Sequence, residues 1–136
     1  MFSIIIPTFN NIKYLKLCIE SIKKNSTYNH EIIAHVNLGE DGTKEYLDKE
    51  NIKYTFTNYN AGICEGMNKA TKKANFDFIL YSHDDFYFCP NWDKILNEEK
   101  THLVTKDELK EEYYLFTDIP EDGGYFINGT TGYLYS

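Results

Sequence analysis

The chain has 136 residues, 42% hydrophobic and 16% aromatic, which predicts one ordered domain with a single sizeable core and excludes a disordered tail. Its net charge of -7 argues against a nucleic-acid binder, and all 14 basic residues are lysines, so no guanidinium fork can clamp a phosphate. Cys18, Cys64 and Cys89 are odd in number and lack zinc-ligand spacing, which predicts reduced thiols in a cytoplasmic protein.

In chain order, Phe2 to Ile6 is a β-branched apolar run expected to form a strand buried on both faces and stopped by Pro7. The run is too short to span a bilayer and has no basic flank, so neither a signal peptide nor an integral membrane segment is expected. Asn10 or Asn11 can cap a helix whose apolar residues are Ile12, Leu15, Ile19 and Ile22. Glu31 to Val36 reads as a second strand, followed by the loop Asn37 to Gly42 and a short helix around Thr43 to Glu50. Ile52 to Thr57 reads as a third strand. A helix follows with Ile63, Met67, Ala70 and Ala74 on one face, and Phe76 to Tyr81 supplies a fourth strand. Such alternation predicts a doubly wound α/β fold with a mostly parallel sheet and right-handed crossovers.

Beyond this, Pro90 and Asn91 can start a helix through Trp92, Ile95 and Leu96. His102 to Thr105 and Tyr113 to Thr117 are candidate strands, with a charged helical turn between them. Pro120 to Ser136 reads as loops with a hairpin.

Asp84 and Asp85 directly follow the fourth strand. Open α/β sheets bind ligands beyond the carboxyl ends of their strands. Two adjacent carboxylates there repel unless a cation joins them, and a hard ion such as Mg²⁺ or Mn²⁺, shared with diphosphate oxygens, would satisfy both. The alternative is a solvated acidic turn. His83 is expected to be positioned or solvent-facing, and Trp92 to pack in the core.

Ser3-Ile4-Ile5-Ile6-Pro7-Thr8-Phe9-Asn10, the loop Val36 to Thr43, the segment Asn60-Ala61-Gly62 to Asn68, and Asp84-Asp85 together resemble the family 2 inverting glycosyltransferases over roughly residues 2 to 97. The resemblance implies a Rossmann-like, three-layer fold of the GT-A type. It implies a nucleotide-diphospho-sugar donor, with a UDP-sugar favoured, a hydroxyl acceptor, and Mn²⁺ or Mg²⁺ as cofactor. Pro7, Thr8, Phe9, Asn10, Asn37, Asn60, Gly62, Asn68 and Asp84 are the implied nucleotide-binding residues, and Asp84 and Asp85 the implied metal ligands. Phe9 could stack on the base, and the N-terminus of the first helix could face phosphate.

There are departures from the family pattern. Asn37 stands where an aspartate is usual, Ser82 where many relatives carry the first acidic residue, and Met67 where many have arginine. The chain is expected to be one domain, residues 1–136, with a nucleotide-binding part at 1–97 and an incomplete acceptor-side part at 98–136. Asp118, Glu121 and Asp122 are base candidates in the latter, Glu121 and Asp122 foremost. The rival readings are a nucleotide-sugar-binding module of little or no activity, a nucleotidyltransferase, and a metal-free structural protein.

Overall fold

The computed structural model describes residues 1–98, 124–126 and 133–135. The candidate strands at 102–105 and 113–117, the helical turn between them, and all three base candidates lie outside the described residues.

Four parallel strands form the sheet: β1 (Ser3–Phe9), β2 (Glu31–Asn37), β3 (Lys53–Thr57) and β4 (Ile79–Tyr81), in the order β3-β2-β1-β4. The connections are helices α1 (Ile12–Asn25), α2 (Thr43–Lys49) and α3 (Gly62–Thr71), and α4 (Trp92–Glu98) follows β4. The predicted hairpin is present as an antiparallel pair, β5 (Gly124–Phe126) with β6 (Tyr133–Tyr135).

Side-chain alternation along the strands splits the core into two layers. Ile4, Ile6, Ala34 and Val36 pack with Leu15, Cys18, Ile19, Ile22 and Leu47 on one face. Ile5 and Ile33 pack with Cys64, Met67, Ala70 and Ala74 on the other. The result is the three-layer α/β sandwich expected from the sequence.

Three expectations need correction. Pro7 does not stop β1, which continues to Phe9. In a parallel strand successive residues bond to alternate neighbours. Ser3 donates to the Phe78 carbonyl and the Ile5 carbonyl accepts from Ser82, so Pro7 faces the β4 side just past the end of that strand's pairing. Its missing N–H therefore costs no ladder bond. β4 itself is shorter than Phe76 to Tyr81, because the Phe76 N–H is taken by the Ser3 hydroxyl. Finally, Ile63 does not share the buried face of α3. It is 39% exposed in the first turn, and Cys64, Gly66, Met67, Ala70 and Thr71 are the buried residues.

Candidate functional site

The carboxyl ends of the strands enclose a cleft of about 360 Å³ lined by Pro7, Thr8, Phe9, Asn11, Asn37, Asn60, Gly62, Ile63, Tyr81, His83 and Asp84. Seven of the nine implied nucleotide-binding residues are brought together here. Asn10, Asn68 and Asp85 do not line it. A larger hollow of about 420 Å³ lies at the opposite end of the sheet, but its lysines are already paired, Lys23 with Glu50 and Lys53 with Glu31. The cleft at the strand ends is therefore the candidate site.

Hydrogen bonds hold the cleft walls in fixed relation. The buried Thr8 hydroxyl donates to Asp84 Oδ2 at 2.7 Å, which orients a half-buried carboxylate against the end of β1. Asp85, next to it, is exposed. Asn37 is 3% exposed and bridges two walls: its Oδ1 accepts from the Ala61 N–H at 2.8 Å and its Nδ2 donates to the Thr8 carbonyl at 3.3 Å. Because a backbone amide only donates and a carbonyl only accepts, the orientation of this side-chain amide is fixed by its partners.

Asn60 does not cap α3, whose N-cap is Ala61; its Oδ1 accepts from the Gly62 N–H at 3.1 Å and closes the turn that enters the helix. Gly62 has φ +75°, which side chains disfavour, while a Cβ there would meet nothing within 4 Å. The glycine is thus required by backbone conformation and leaves open space on the cleft side. Phe9, 48% exposed, stands on the rim.

The N-terminus of α1 already holds one carboxylate. No side-chain cap comes from Asn11, and Asp41, from the loop after β2, accepts the Ile12 N–H at 2.9 Å. Burial would raise the Asp41 carboxyl, but bonds from Thr43 and Ile12 outweigh this and lower it. Asn10 turns away to accept from the Glu40 N–H. The tie from β2's loop to α1 is carried by a residue that sequence spacing did not single out.

His83 is exposed but positioned, with ring contacts to Tyr81 and Phe86 at 5.0 Å and Nε2 3.1 Å from the Tyr81 hydroxyl. Burial pushes the Tyr81 hydroxyl up to about 12, with Cys64 and the two aspartates adding to the effect, so it remains an O–H. Cys18 lies beneath the acidic loop, and burial pushes its thiol up to about 11, which makes it packing and not a nucleophile. Ser82 is buried and donates to the His83 carbonyl, Met67 is buried in the core, and Trp92 packs on Phe2, His30 and Phe88, as expected for it.

No group of three or more His, Cys, Asp or Glu side chains that could hold a metal occurs among the described residues. The donor set at the end of β4 is two carboxylates, one oriented by a hydroxyl. Such hard oxygen donors fit Mg²⁺ or Mn²⁺ when substrate oxygens complete the shell. No helix among the described residues is long and apolar enough to cross a membrane.

A parallel sheet flanked by helices, with a polar cleft at its carboxyl edge and an acidic pair after β4, defines a GT-A type α/β domain. The chain belongs to glycosyl transferase family 2, whose profile matches residues 3–101.

Solved structures share the fold. TarS 1-349 of S. aureus in complex with UDP is 24% identical with a TM-score of 0.66, covering 74% of this chain and 32% of that one. TarS 1-349 in complex with UDP-GlcNAc is 25% identical with a TM-score of 0.62, covering 74% and 31%. The mannosyltransferase PcManGT of Pyrobaculum calidifontis, in complex with GDP-Man and Mn2+, is 18% identical with a TM-score of 0.60, covering 73% and 31%. The chain thus spans about a third of the length of these structures. No curated protein sequence matches it.

Proposed function

We propose that this chain binds a nucleotide-diphospho-sugar, a UDP-sugar in preference, together with Mn²⁺ or Mg²⁺, and transfers the sugar with inversion to an acceptor hydroxyl. The observation that carries the reading is the convergence of Thr8, Asn37, Asn60, Gly62 and Asp84 on one cleft. Neighbours of the same fold are complexes with UDP, UDP-GlcNAc, and GDP-Man with Mn2+, which supports a nucleotide-sugar ligand and a divalent ion. UDP is favoured because two of the three neighbours are complexes with UDP or a UDP-sugar, while the Asn37 amide is already held by Ala61 and Thr8.

In this reading Phe9 offers its exposed ring to the base, and open space at Gly62 admits the nucleotide backbone close to α3. Asp84, held by Thr8, and Asp85 would hold the ion. When bound, a divalent ion neutralises charge developing on the leaving diphosphate. The acceptor oxygen forms its bond to the anomeric carbon from the face opposite the departing diphosphate, and its proton passes to a carboxylate. Glu121 and Asp122 are the proposed bases, with Asp118 as a third candidate, in an acceptor-side part at 98–136. Cys18, Cys64 and Cys89 are all free thiols, in keeping with a cytoplasmic protein.

Calorimetry of UDP and GDP with and without Mn²⁺ tests the donor site. Metal-dependent binding, lost in Asp84→Asn/Asp85→Asn, is the expected result. Binding that is unchanged in that variant rejects the assigned site. Transfer or hydrolysis of a sugar nucleotide then separates a transferase from a module that only holds the ligand.

A further inference from the structure

We propose that His35, a buried residue that is not among those lining the cleft, is a positioning residue for the donor site, acting through Thr57 on the turn that leads into α3. The proposal rests on the cleft being that donor site, and it deepens that reading.

His35 is fully buried on the β2 face covered by α3. Its Nδ1 lies 2.7 Å from the Thr55 hydroxyl and its Nε2 3.2 Å from the Thr57 hydroxyl. Thr57 has one proton to give, and its shortest acceptor is the Tyr59 carbonyl at 2.8 Å. Thr57 Oγ1 is then the acceptor toward the ring, so His35 carries its hydrogen on Nε2 and leaves Nδ1 for the Thr55 hydroxyl. With the opposite tautomer the Thr57 hydroxyl would donate to Nε2 and leave the Tyr59 carbonyl without its hydrogen bond.

That carbonyl begins the turn Tyr59-Asn60-Ala61-Gly62. The same turn is held from its other side by Asn37, which accepts from Ala61 and donates to Thr8, which in turn donates to Asp84. A line of directed hydrogen bonds and one shared turn therefore joins the ring to the acidic loop.

The imidazole is kept neutral by its surroundings. Burial lowers its pKa, Lys69 on α3 adds to this, and Glu65 on α3 and the Asn37 side chain oppose it. The helix is shaped around the ring: a Cβ at Gly66 would stand 2.6 Å from His35 Cδ2 and 3.1 Å from Cγ. Mid-helix glycine is unfavourable by itself, and here it admits the imidazole.

The test uses His35→Leu, His35→Gln and Thr57→Val, with UDP and GDP binding in Mn²⁺ and Ala61 amide exchange as readouts. His35→Leu and Thr57→Val should each weaken binding about five- to tenfold, roughly the worth of one hydrogen bond. The double variant should be no weaker than either single one, because both cut the same link. His35→Gln, which keeps an N–H donor, should recover most of the loss, whereas a role in packing alone would favour leucine. Ala61 exchange should quicken in His35→Leu and Thr57→Val.

Wild-type binding by a folded His35→Leu or Thr57→Val, or strictly additive losses, overturns the proposal. Should the wild type bind neither nucleotide, the donor-site reading fails by itself. Ala61 exchange then decides the positioning role alone, and unaltered exchange in both variants rejects it.

Discussion

Asp93 and His30, 63 residues apart in sequence, meet at 2.7 Å with both side chains shut away from solvent. The Phe2 N–H donates to His30 Nδ1, so Nε2 carries the ring hydrogen and donates to Asp93. The same carboxylate accepts the N–H groups of Thr27 and Tyr28. Asn25 and Ser21 bond the backbone of Phe88, and Trp92 Nε1 donates to Ser26. The chain after the acidic loop is thereby fastened to the end of α1.

Acid should loosen this fastening. Burial alone would raise the Asp93 carboxyl, but the Thr27 and Tyr28 amides and His30 outweigh it and hold it at about 2, against 3.8 in an open chain. A carboxyl lowered on folding stabilises fully above its open-chain value, and that stability is lost as pH falls toward its folded value. The wild type should lose on the order of 2 kcal/mol between about pH 5 and pH 2 from this group. Asp93→Ala should be about 2 kcal/mol less stable at pH 7 and show a flatter acid limb. Urea unfolding across pH reads both, and an Asp93→Ala profile parallel to wild type would rule out the assignment.

Gly66→Ala should destabilise, although alanine in an open helix stabilises by about 1 kcal/mol. The added methyl meets the His35 ring, which is enclosed, at a cost of about 1 to 3 kcal/mol. Thermal unfolding decides the sign, and a stabilised variant would contradict the packing of α3 on the ring.

Asp41→Ala should cost about 1 to 2 kcal/mol through loss of the cap on α1, while Asn11→Ala should cost only a few tenths. The comparison is made by urea midpoint at constant slope. Equal losses would return the cap to Asn11.

Thr8→Val should leave the fold in place and weaken Mn²⁺-dependent nucleotide binding about fivefold, since Asp84 loses the hydroxyl that orients it. Binding without metal should change far less. Calorimetry at several Mn²⁺ concentrations checks this, and a loss independent of metal would place the Thr8 effect elsewhere in the cleft.

Among the described residues, the sequence by itself determined the strand and helix order and the parallel sheet, and it also determined the family and seven of the residues that line the cleft. Apolar periodicity and turn residues act over a few neighbours, so they can be read locally. It misjudged Pro7, because whether a proline breaks a strand depends on which neighbour its missing N–H would face, and that neighbour, β4, pairs with β1 from far along the chain, Ile5 with Tyr81. It also assigned the α1 cap to a neighbouring asparagine, when Asp41 supplies the carboxylate from the next loop. His35 carried no signal beyond a lone histidine in an apolar strand, and Gly66 none beyond a weak helix residue. Only the folded sheet sets β2 against β3 and α3 so that the ring, two threonines and an absent side chain complete one another. Burial and hydrogen-bond direction arise from contacts between distant segments, and tertiary structure alone decides them.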